Sequence, residues 1–273
     1  MNRHEIFRSL HQSPGIFVVP NPWDAGSAKL LTHFGYKALA TTSAGLAHML
    51  GKPDGQGVVT REETLQNAKS IVDATHLPVS ADLEKGFGHD PESCAATITM
   101  AASVGLSGGS IEDSTGNRAD PIYPFDLAVA RVKAAVAAAR SLAQPFTLTA
   151  RAENLINGRP DLKDTINRLV AFADAGADVL FAPGLKTKEE IETVVKAVAP
   201  GPVNVVMGLS GGSFTLKMLE DLGVKRVSLG SSLSRAAFTA FIAAAKEVLN
   251  EGTFNYAVNA VPYAELNGIF GKG

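Results

Sequence analysis

The stretch Val79-Ser80-Ala81-Asp82-Leu83-Glu84-Lys85-Gly86-Phe87-Gly88 reads as a short buried strand running into two acids and then a glycine turn. The strand proper spans residues 77–81 and is entered through a proline. Side-chain alternation along a strand places Asp82 and Glu84 on one face. Two carboxylates on one face repel unless a cation or a shared proton lies between them. A pair of solvated loop acids is the plainer reading, and repetition weighs against it. The same design, an apolar strand with a charged terminus, recurs at Ser110-Ile111-Glu112-Asp113 and at Thr149-Ala150-Arg151-Ala152-Glu153-Asn154.

Working outward, strands are expected at 16–19, 36–41, 77–81, 107–111, 146–150, 178–182, 203–207 and 226–229. Helices are expected at 25–34, 61–74, 90–104, 127–143, 162–175, 187–198, 214–222 and 236–250, with a leading helix at 5–11. Asp24 caps the helix after the first strand, and Asp90-Pro91 opens the one after the third. Helix exits such as Ala175-Gly176-Ala177-Asp178 suit turns back into the sheet. Strand-then-helix units in series demand a parallel sheet, and eight is the number at which that sheet closes. The fold class is therefore α/β, a (β/α)8 TIM barrel, and 273 residues suit one such domain. No linker or composition break divides the chain, so 1–273 is one domain with 251–273 as a C-terminal extension. Residues 256–270 are too apolar for a disordered end and are expected to pack on a neighbouring subunit.

Composition removes several function classes. A hydrophobic content of 45% with 19% charged residues fits a folded chain with a real core. A net charge of -2 carries no polyelectrolyte signature, so nucleic acid and anionic membrane are poor partners. No apolar run approaches the length of a spanning helix, and the amino terminus lacks the apolar core of a signal peptide. A single cysteine, Cys94, forbids an internal disulfide and any cysteine-built zinc site. A reducing, cytoplasmic location is the default expectation.

In a barrel of this kind chemistry gathers where the strands end. That rule brings Ser43, Ala44, Gly45 and the following Asp54 together with Asp82, Glu84, Glu112, Asp113, Arg151, Glu153 and Asn154. Asn204, Ser231 and Ser232 join them from the last two strands. An acid-rich mouth without cysteine or a firmly placed histidine suits a hard cation, Mg²⁺ with Mn²⁺ as a substitute, which keeps waters and leaves room for substrate oxygens. Arg151 opposite the acids can hold a substrate carboxylate in a fork, and the Ser43 turn can offer backbone N–H groups to it. The competing reading is a buried ion-pair network in which Arg151 simply neutralises Asp82 and Glu112. Other features carry less. His89 reads as a solvated loop residue, Lys85 as a rim charge or a ligand-binding cation, and Cys94 as a small core residue. Gly208-Leu209-Ser210-Gly211-Gly212-Ser213 has the look of a phosphate cradle, and a barrel loop explains it equally well.

Four segments taken in order resemble the isocitrate lyase and phosphoenolpyruvate mutase superfamily: Thr42-Ser43-Ala44-Gly45, the Ala81–Gly88 stretch, Ile111-Glu112-Asp113 and Ala150-Arg151-Ala152-Glu153-Asn154. Pro20-Asn21-Pro22-Trp23-Asp24 and Leu50-Gly51-Lys52-Pro53-Asp54 also look like positions of that superfamily. The resemblance implies a (β/α)8 barrel, often with the eighth helix exchanged between subunits, in a homo-oligomer that is a dimer or tetramer. It implies Mg²⁺ and a small 2-oxo acid substrate. Asp82 would then be the direct metal ligand, with Asp54, Glu84 and Glu112 holding the metal's waters. Ser43, Ala44 and Gly45 would bind the substrate carboxylate, with Arg151 on the opposite side.

The chain departs from that pattern at two points. Glu84 stands where the superfamily usually has a second Asp, and the cysteine-bearing loop of the isocitrate and methylisocitrate lyases is absent. The expected activity is therefore a Mg²⁺-dependent lyase that cleaves a bond at C3 of a 2-oxo or 2-hydroxy dicarboxylate through a pyruvate-type enolate. Oxaloacetate-like decarboxylation is one member of that class. Alternatives are a C–P bond enzyme acting on phosphonopyruvate or phosphoenolpyruvate, as a mutase or a hydrolase, and a barrel that binds a 2-oxo acid without altering it. Asp82, Glu84 and Glu112 are expected at the metal. Ser43, Ala44, Gly45, Arg151 and Asn204 are expected at the substrate, and Asp54, Glu112, Arg151 and Tyr123 in catalysis. Water, Tyr123 and Ser114 are the candidate proton donors.

Overall fold

Helix starts follow the local chemistry of the chain. Asn2 and Glu5 form a reciprocal cap on α1 (Arg3–Gln12), and Thr60 with Glu63 does the same for α4 (Arg61–Asp73). Asp24 accepts the Ser27 N–H at 2.7 Å to open α2 (Ala25–His33), and Asp90 opens α5 (Pro91–Ser103) with proline in its first turn. A computed structural model describes residues 1–208 and 214–271 of the chain. The remaining helices are α3 (Ser43–Met49), α6 (Phe125–Ser141), α7 (Leu162–Asp174), α8 (Lys188–Val198), α9 (Leu216–Asp221), α10 (Ser232–Glu251) and α11 (Tyr263–Phe270).

Between them lie β1 (Phe17–Val19), β2 (Leu39–Ala40), β3 (Val79–Asp82), β4 (Gly108–Glu112), β5 (Thr147–Arg151), β6 (Val179–Phe181), β7 (Val203–Val206) and β8 (Arg226–Ser228). All pair in parallel in the order β1-β8-β7-β6-β5-β4-β3-β2. The seam between β1 and β2 is bridged where Ala40 N–H donates to Pro20 O at 3.1 Å and Asn21 Nδ2 donates to Thr41 O at 2.9 Å. The sheet is thus a nearly closed (β/α)8 barrel. Apolar side chains fill the layer between strands and helices in two large clusters, one around Leu39, Ile71 and Ile98, the other around Phe172, Leu180 and Val205.

Among the differences from the sequence reading, β2 is confined to Leu39–Ala40 of the expected 36–41. The Ser43-Ala44-Gly45 turn is the first turn of α3, capped by Thr42, which local polarity alone did not announce. β3 ends at Asp82, so alternation does not carry Glu84; it sits in a turn with φ 48°, followed by Gly86 at 79° and Phe87 at 57°. A side chain at Gly86 would also come within 3.2 Å of Cys94 Cα. Finally, α10 begins a turn earlier than expected and buries only Ser234, leaving Phe241, Ile242 and Leu249 exposed, while α11 folds back so that Lys29 on α2 donates to Phe270 O.

The amino-terminal end of the barrel is plugged by α1. Phe7 and His11 are buried there, with the His11 ring edge-on to Phe7 and Phe17. Arg226 donates to His11 Nε2 at 3.2 Å, which leaves the ring proton on Nδ1, 2.8 Å from Phe7 O. Burial first, then the Arg226 charge, pulls His11 from 6.5 to about 3. The imidazole is neutral in the folded chain where the unfolded chain would protonate it. Its contribution to stability is therefore complete above pH 6.5 and is lost as pH falls toward 3. Denaturant titrations between about pH 7 and about pH 4.5 should show His11→Gln losing less stability than the parent; parallel losses would place the acid sensitivity elsewhere.

Candidate active site

At the carboxyl end of the strands a cavity of about 620 Å³ opens. One wall is polar and carries Thr41, Thr42, Ser43, Ala44, Asp54 and Asp82. The facing wall is mostly apolar, with Ile156, Phe181, Leu185, Met207 and Phe214, and carries one cation, Lys186. Arg151 stands between the two, and Asn204, Arg226 and Ser228 line the cavity deeper in the barrel. A hollow of about 830 Å³ lies at the amino-terminal end among Arg8, Gln144, Pro145 and Pro202. In this architecture that end serves stability, so the smaller cavity is the chemical one.

Arg151 is the hub. Nη1 lies 2.9 Å from Asp82 Oδ1, and Nη2 lies 3.2 Å from Glu112 Oε2 and 2.9 Å from Glu153 Oε1. Strand register makes this possible, because Glu112 pairs directly with Arg151 and Asp82 sits one strand further on. Glu153, Glu112 and Asp82 together hold the guanidinium well above its ordinary range, although burial opposes them. Asp82 is anchored from three sides: its N–H donates to Thr41 Oγ1 at 3.0 Å, Oδ1 accepts the Glu84 N–H at 3.2 Å, and Oδ2 accepts the Ser43 N–H at 3.4 Å.

The acids outnumber the cation they touch. Burial, then repulsion from Asp82 and Asp54, pushes Glu84 up to about 7. Burial raises Glu112 well above the usual carboxylate range, with Arg151 opposing and Glu153 adding to the rise. Asp54 rises through partial desolvation and the charge of Asp82. Lys85 does not relieve this contact for contact, since its Nζ donates to Thr115 O at 2.8 Å. Among the described residues no three His, Cys, Asp or Glu side chains converge as a ready ligand set. Arg151 pairs with both Asp82 and Glu112, so these two carboxylates and Glu84 are grouped without forming a direct three-ligand set. The donor set fits a cation held through one carboxylate with its water shell facing the rest, which is how Mg²⁺ is commonly bound. Buried carboxylates short of counter-charge also favour such an ion.

The turn that carries Glu84 is pinned from behind. Buried Arg131 on α6 donates to the carbonyls of Lys85, Gly88 (3.1 Å) and Asp90 (3.3 Å), and Glu112 N–H donates to Glu84 O at 3.0 Å. Arg131 also lies over the Tyr123 ring at 4.2 Å. That contact corrects the expectation for Tyr123. Its ring is buried outside the cavity lining and its hydroxyl is 2.7 Å from Nδ1 of the exposed His89. Asp113 likewise turns away from the mouth to Arg168 Nη1 at 3.1 Å. Asn154 is buried and donates to Asp164.

Gly45 does not line the cavity; its N–H donates to Thr42 Oγ1, and a Cβ there would meet Thr42 Cγ2 at 2.5 Å. Asn204 lies in the barrel interior, committed to Arg226 and Ser228. Cys94 is a buried core residue, its thiol pushed up to about 11 by burial. Within the Gly-rich 208–213 segment, 209–213 lie outside the described residues. Sequence reasoning missed Arg226, though alternation along 226–228 points it inward with Ser228. It also missed Asn21, whose Oδ1 accepts the Leu229 and Gly230 N–H groups and ties three strand ends together.

The family model for phosphoenolpyruvate phosphomutase matches residues 7–249. A crystal structure of a candidate lyase/mutase from Burkholderia cenocepacia J2315 superposes with a TM-score of 0.95 at 54% identity, covering 98% of this chain and 95% of that one. A structure of oxaloacetate acetylhydrolase in complex with the product oxalate superposes at 0.89 with 27% identity, covering 99% and 94%. An uncharacterized protein of Mycobacterium tuberculosis (strain ATCC 25618 / H37Rv) is 31% identical over 95% of this chain and 94% of its own length. Other relatives are named 2-methylisocitrate lyase, 2,3-dimethylmalate lyase and oxaloacetate decarboxylase. The match runs through every strand of the barrel and all the acids at its mouth, and the chain is a member of the phosphoenolpyruvate phosphomutase family, within the isocitrate lyase/phosphoenolpyruvate mutase superfamily.

Proposed function

We propose that the chain is a Mg²⁺-dependent lyase that cleaves a bond at C3 of a small 2-oxo or 2-hydroxy dicarboxylate through a pyruvate-type enolate, oxaloacetate-like decarboxylation being one member. The Asp82–Arg151 and Glu112–Arg151 ion pairs by themselves fit the competing network, and the observation that carries this reading is the surplus beyond them, with Asp54 and Glu84 crowding Asp82 at the cavity. Asp82 would hold Mg²⁺ directly, with Asp54, Glu84 and Glu112 facing its waters; Mn²⁺ would substitute. Bound there, the ion supplies Lewis-acid stabilisation for negative charge developing on the substrate's C2 oxygen.

The chain's own groups do the rest. Arg151 is locked by Glu112 and Glu153, so its guanidinium is presented to substrate oxygens without a reorganisation cost. Ser43 and Ala44, in the first turn of α3, face the substrate carboxylate and fix the breaking bond relative to the developing enolate. The apolar wall of Ile156, Phe181 and Leu185 excludes water from one side of the substrate. A departing neutral CO₂ needs no acid, which accords with a mouth that offers no cysteine. With the Tyr123 hydroxyl turned to His89, solvent and Ser114 are the donors left for the enolate carbon.

C–P chemistry on phosphonopyruvate is the second reading, favoured by the family model. Phosphate release from phosphonopyruvate at a rate comparable to decarboxylation would put this reading first.

The exposed apolar face of α10 supports a homo-oligomer in which a second copy covers Phe241 and Leu249. The double substitution Phe241→Asp, Leu249→Asp should convert the assembly to monomers by light scattering. An unchanged mass would remove α10 from the interface.

Two measurements test the chemistry. EDTA should silence turnover with Mg²⁺ or Mn²⁺ restoring it, and Asp82→Ala should lose at least about 100-fold in kcat/KM; a parent-like rate in that variant would remove the metal assignment. Arg151→Lys should weaken oxalate binding by about tenfold or more, since a lysine cannot reproduce the planar fork. Unchanged oxalate affinity would count against Arg151 as a substrate contact.

A further inference from the structure

Barrel interiors of this class are filled by layers of bulky side chains. Here the inward positions below the mouth are small and polar, with Ala40, Ser80, Ser110 and Ser228 lining the same cavity as Asp82. The cavity therefore continues down the barrel axis, and Arg226 lines its deep end.

Arg226 is buried, and its partners are neutral. Nε donates to Asn204 Oδ1 at 2.8 Å, Nη2 to Thr149 Oγ1 at 3.0 Å, and Nη1 to His11 Nε2. No carboxylate among the described residues pairs with it, and burial alone acts on its charge, pulling it below the ordinary guanidinium range. Arg151, one layer up, has three carboxylates. A buried cation without an anion is costly unless something else supplies the counter-charge. Of its five N–H groups, three are engaged and two remain, matching in number the two oxygens of a carboxylate. Thr149 precedes Arg151 by two residues on β5, which sets it about 7 Å further into the barrel on the same face.

We propose that Arg226 is the floor of a second anion subsite inside the barrel, which takes the distal carboxylate of a dicarboxylate whose 2-oxo acid end sits at Asp82 and Arg151. The subsite rests on the proposed function for the placement of the 2-oxo acid end and narrows its substrate class. Asn204 and Thr149 hold the guanidinium from the sides, and the hydroxyls of Ser80, Ser110 and Ser228 flank the path to it. A chain that ends in a methyl group would leave Arg226 unpaired and would be rejected for that reason.

Calorimetric titration in Mg²⁺ separates the two ends of the ligand. Oxalate probes the mouth alone. 2-Oxoglutarate and 2-oxopentanoate share a chain length and differ in the distal carboxylate. The parent protein should prefer 2-oxoglutarate over 2-oxopentanoate by about tenfold or more, and Arg226→Gln should erase that preference while oxalate affinity stays within about twofold. Ser110→Val, which narrows the passage and keeps the charge, should weaken both five-carbon acids and spare oxalate. No preference in the parent, a preference that survives in Arg226→Gln, or a parallel fall in oxalate affinity would each overturn the subsite, the last by marking Arg226 as a brace of the barrel. A parent protein that ignores oxalate yet keeps the preference for 2-oxoglutarate would sink the mouth assignment and leave the floor standing.

Discussion

One guanidinium ties the ends of three strands together. Arg151 reaches Asp82 at the end of β3 and Glu112 at the end of β4, and Glu153 just past its own strand closes the set. Buried away from water, each of these charges would be costly alone. Together they still leave negative charge in excess, visible in the upward shifts of Glu84, Glu112 and Asp54. That excess can be relieved by a proton on Glu84 or Glu112 or by a further cation at the mouth, and the metal-dependent chemistry proposed above uses the second route.

The scaffold keeps this cluster in place with contacts remote from the chemistry. The 83–88 turn, with two non-glycine residues at positive φ, is a strained route out of β3. Arg131 on α6 offsets that strain by binding two carbonyls of the turn, Lys85 and Gly88, and that of Asp90 just beyond it. Arg168 does the equivalent for the next loop through Asp113 and Tyr123 O. The arginines around the barrel thus have different tasks: Arg131 and Arg168 hold loops, Arg151 faces the mouth, and Arg226 occupies the axis. Composition does not separate these tasks; the partner groups do.

The two walls of the cavity also divide the labour. Polar groups from β2, β3 and the loop bearing Asp54 line the side where the proposed reading places the charged end of a ligand, while Ile156, Phe181, Leu185 and Phe214 give the opposite side a largely apolar surface. Relatives named 2-methylisocitrate lyase, 2,3-dimethylmalate lyase and oxaloacetate decarboxylase are 26–27% identical in sequence to this chain.

Much of the design was legible in the chain itself. Periodic strand and helix patterns with their caps specify eight parallel units, and eight units specify closure, so the mouth and its acids follow from local rules. Asp82, Glu112 and Arg151 fall at strand ends, where alternation is still reliable. What local pattern could not supply was direction beyond those ends. Glu84 leaves the strand through a positive-φ turn, Tyr123 is turned outward by Arg131, Asp113 is claimed by Arg168, and Gly45 is spent on packing against Thr42. Each of those outcomes depends on a partner distant in sequence. Arg226 shows the same limit from the other side: its inward orientation follows from the strand period, but its lack of a carboxylate became visible only once seven other strands had closed around it. Local chemistry decides which residues reach the barrel's ends and axis, and only the closed tertiary structure decides which charges they meet there.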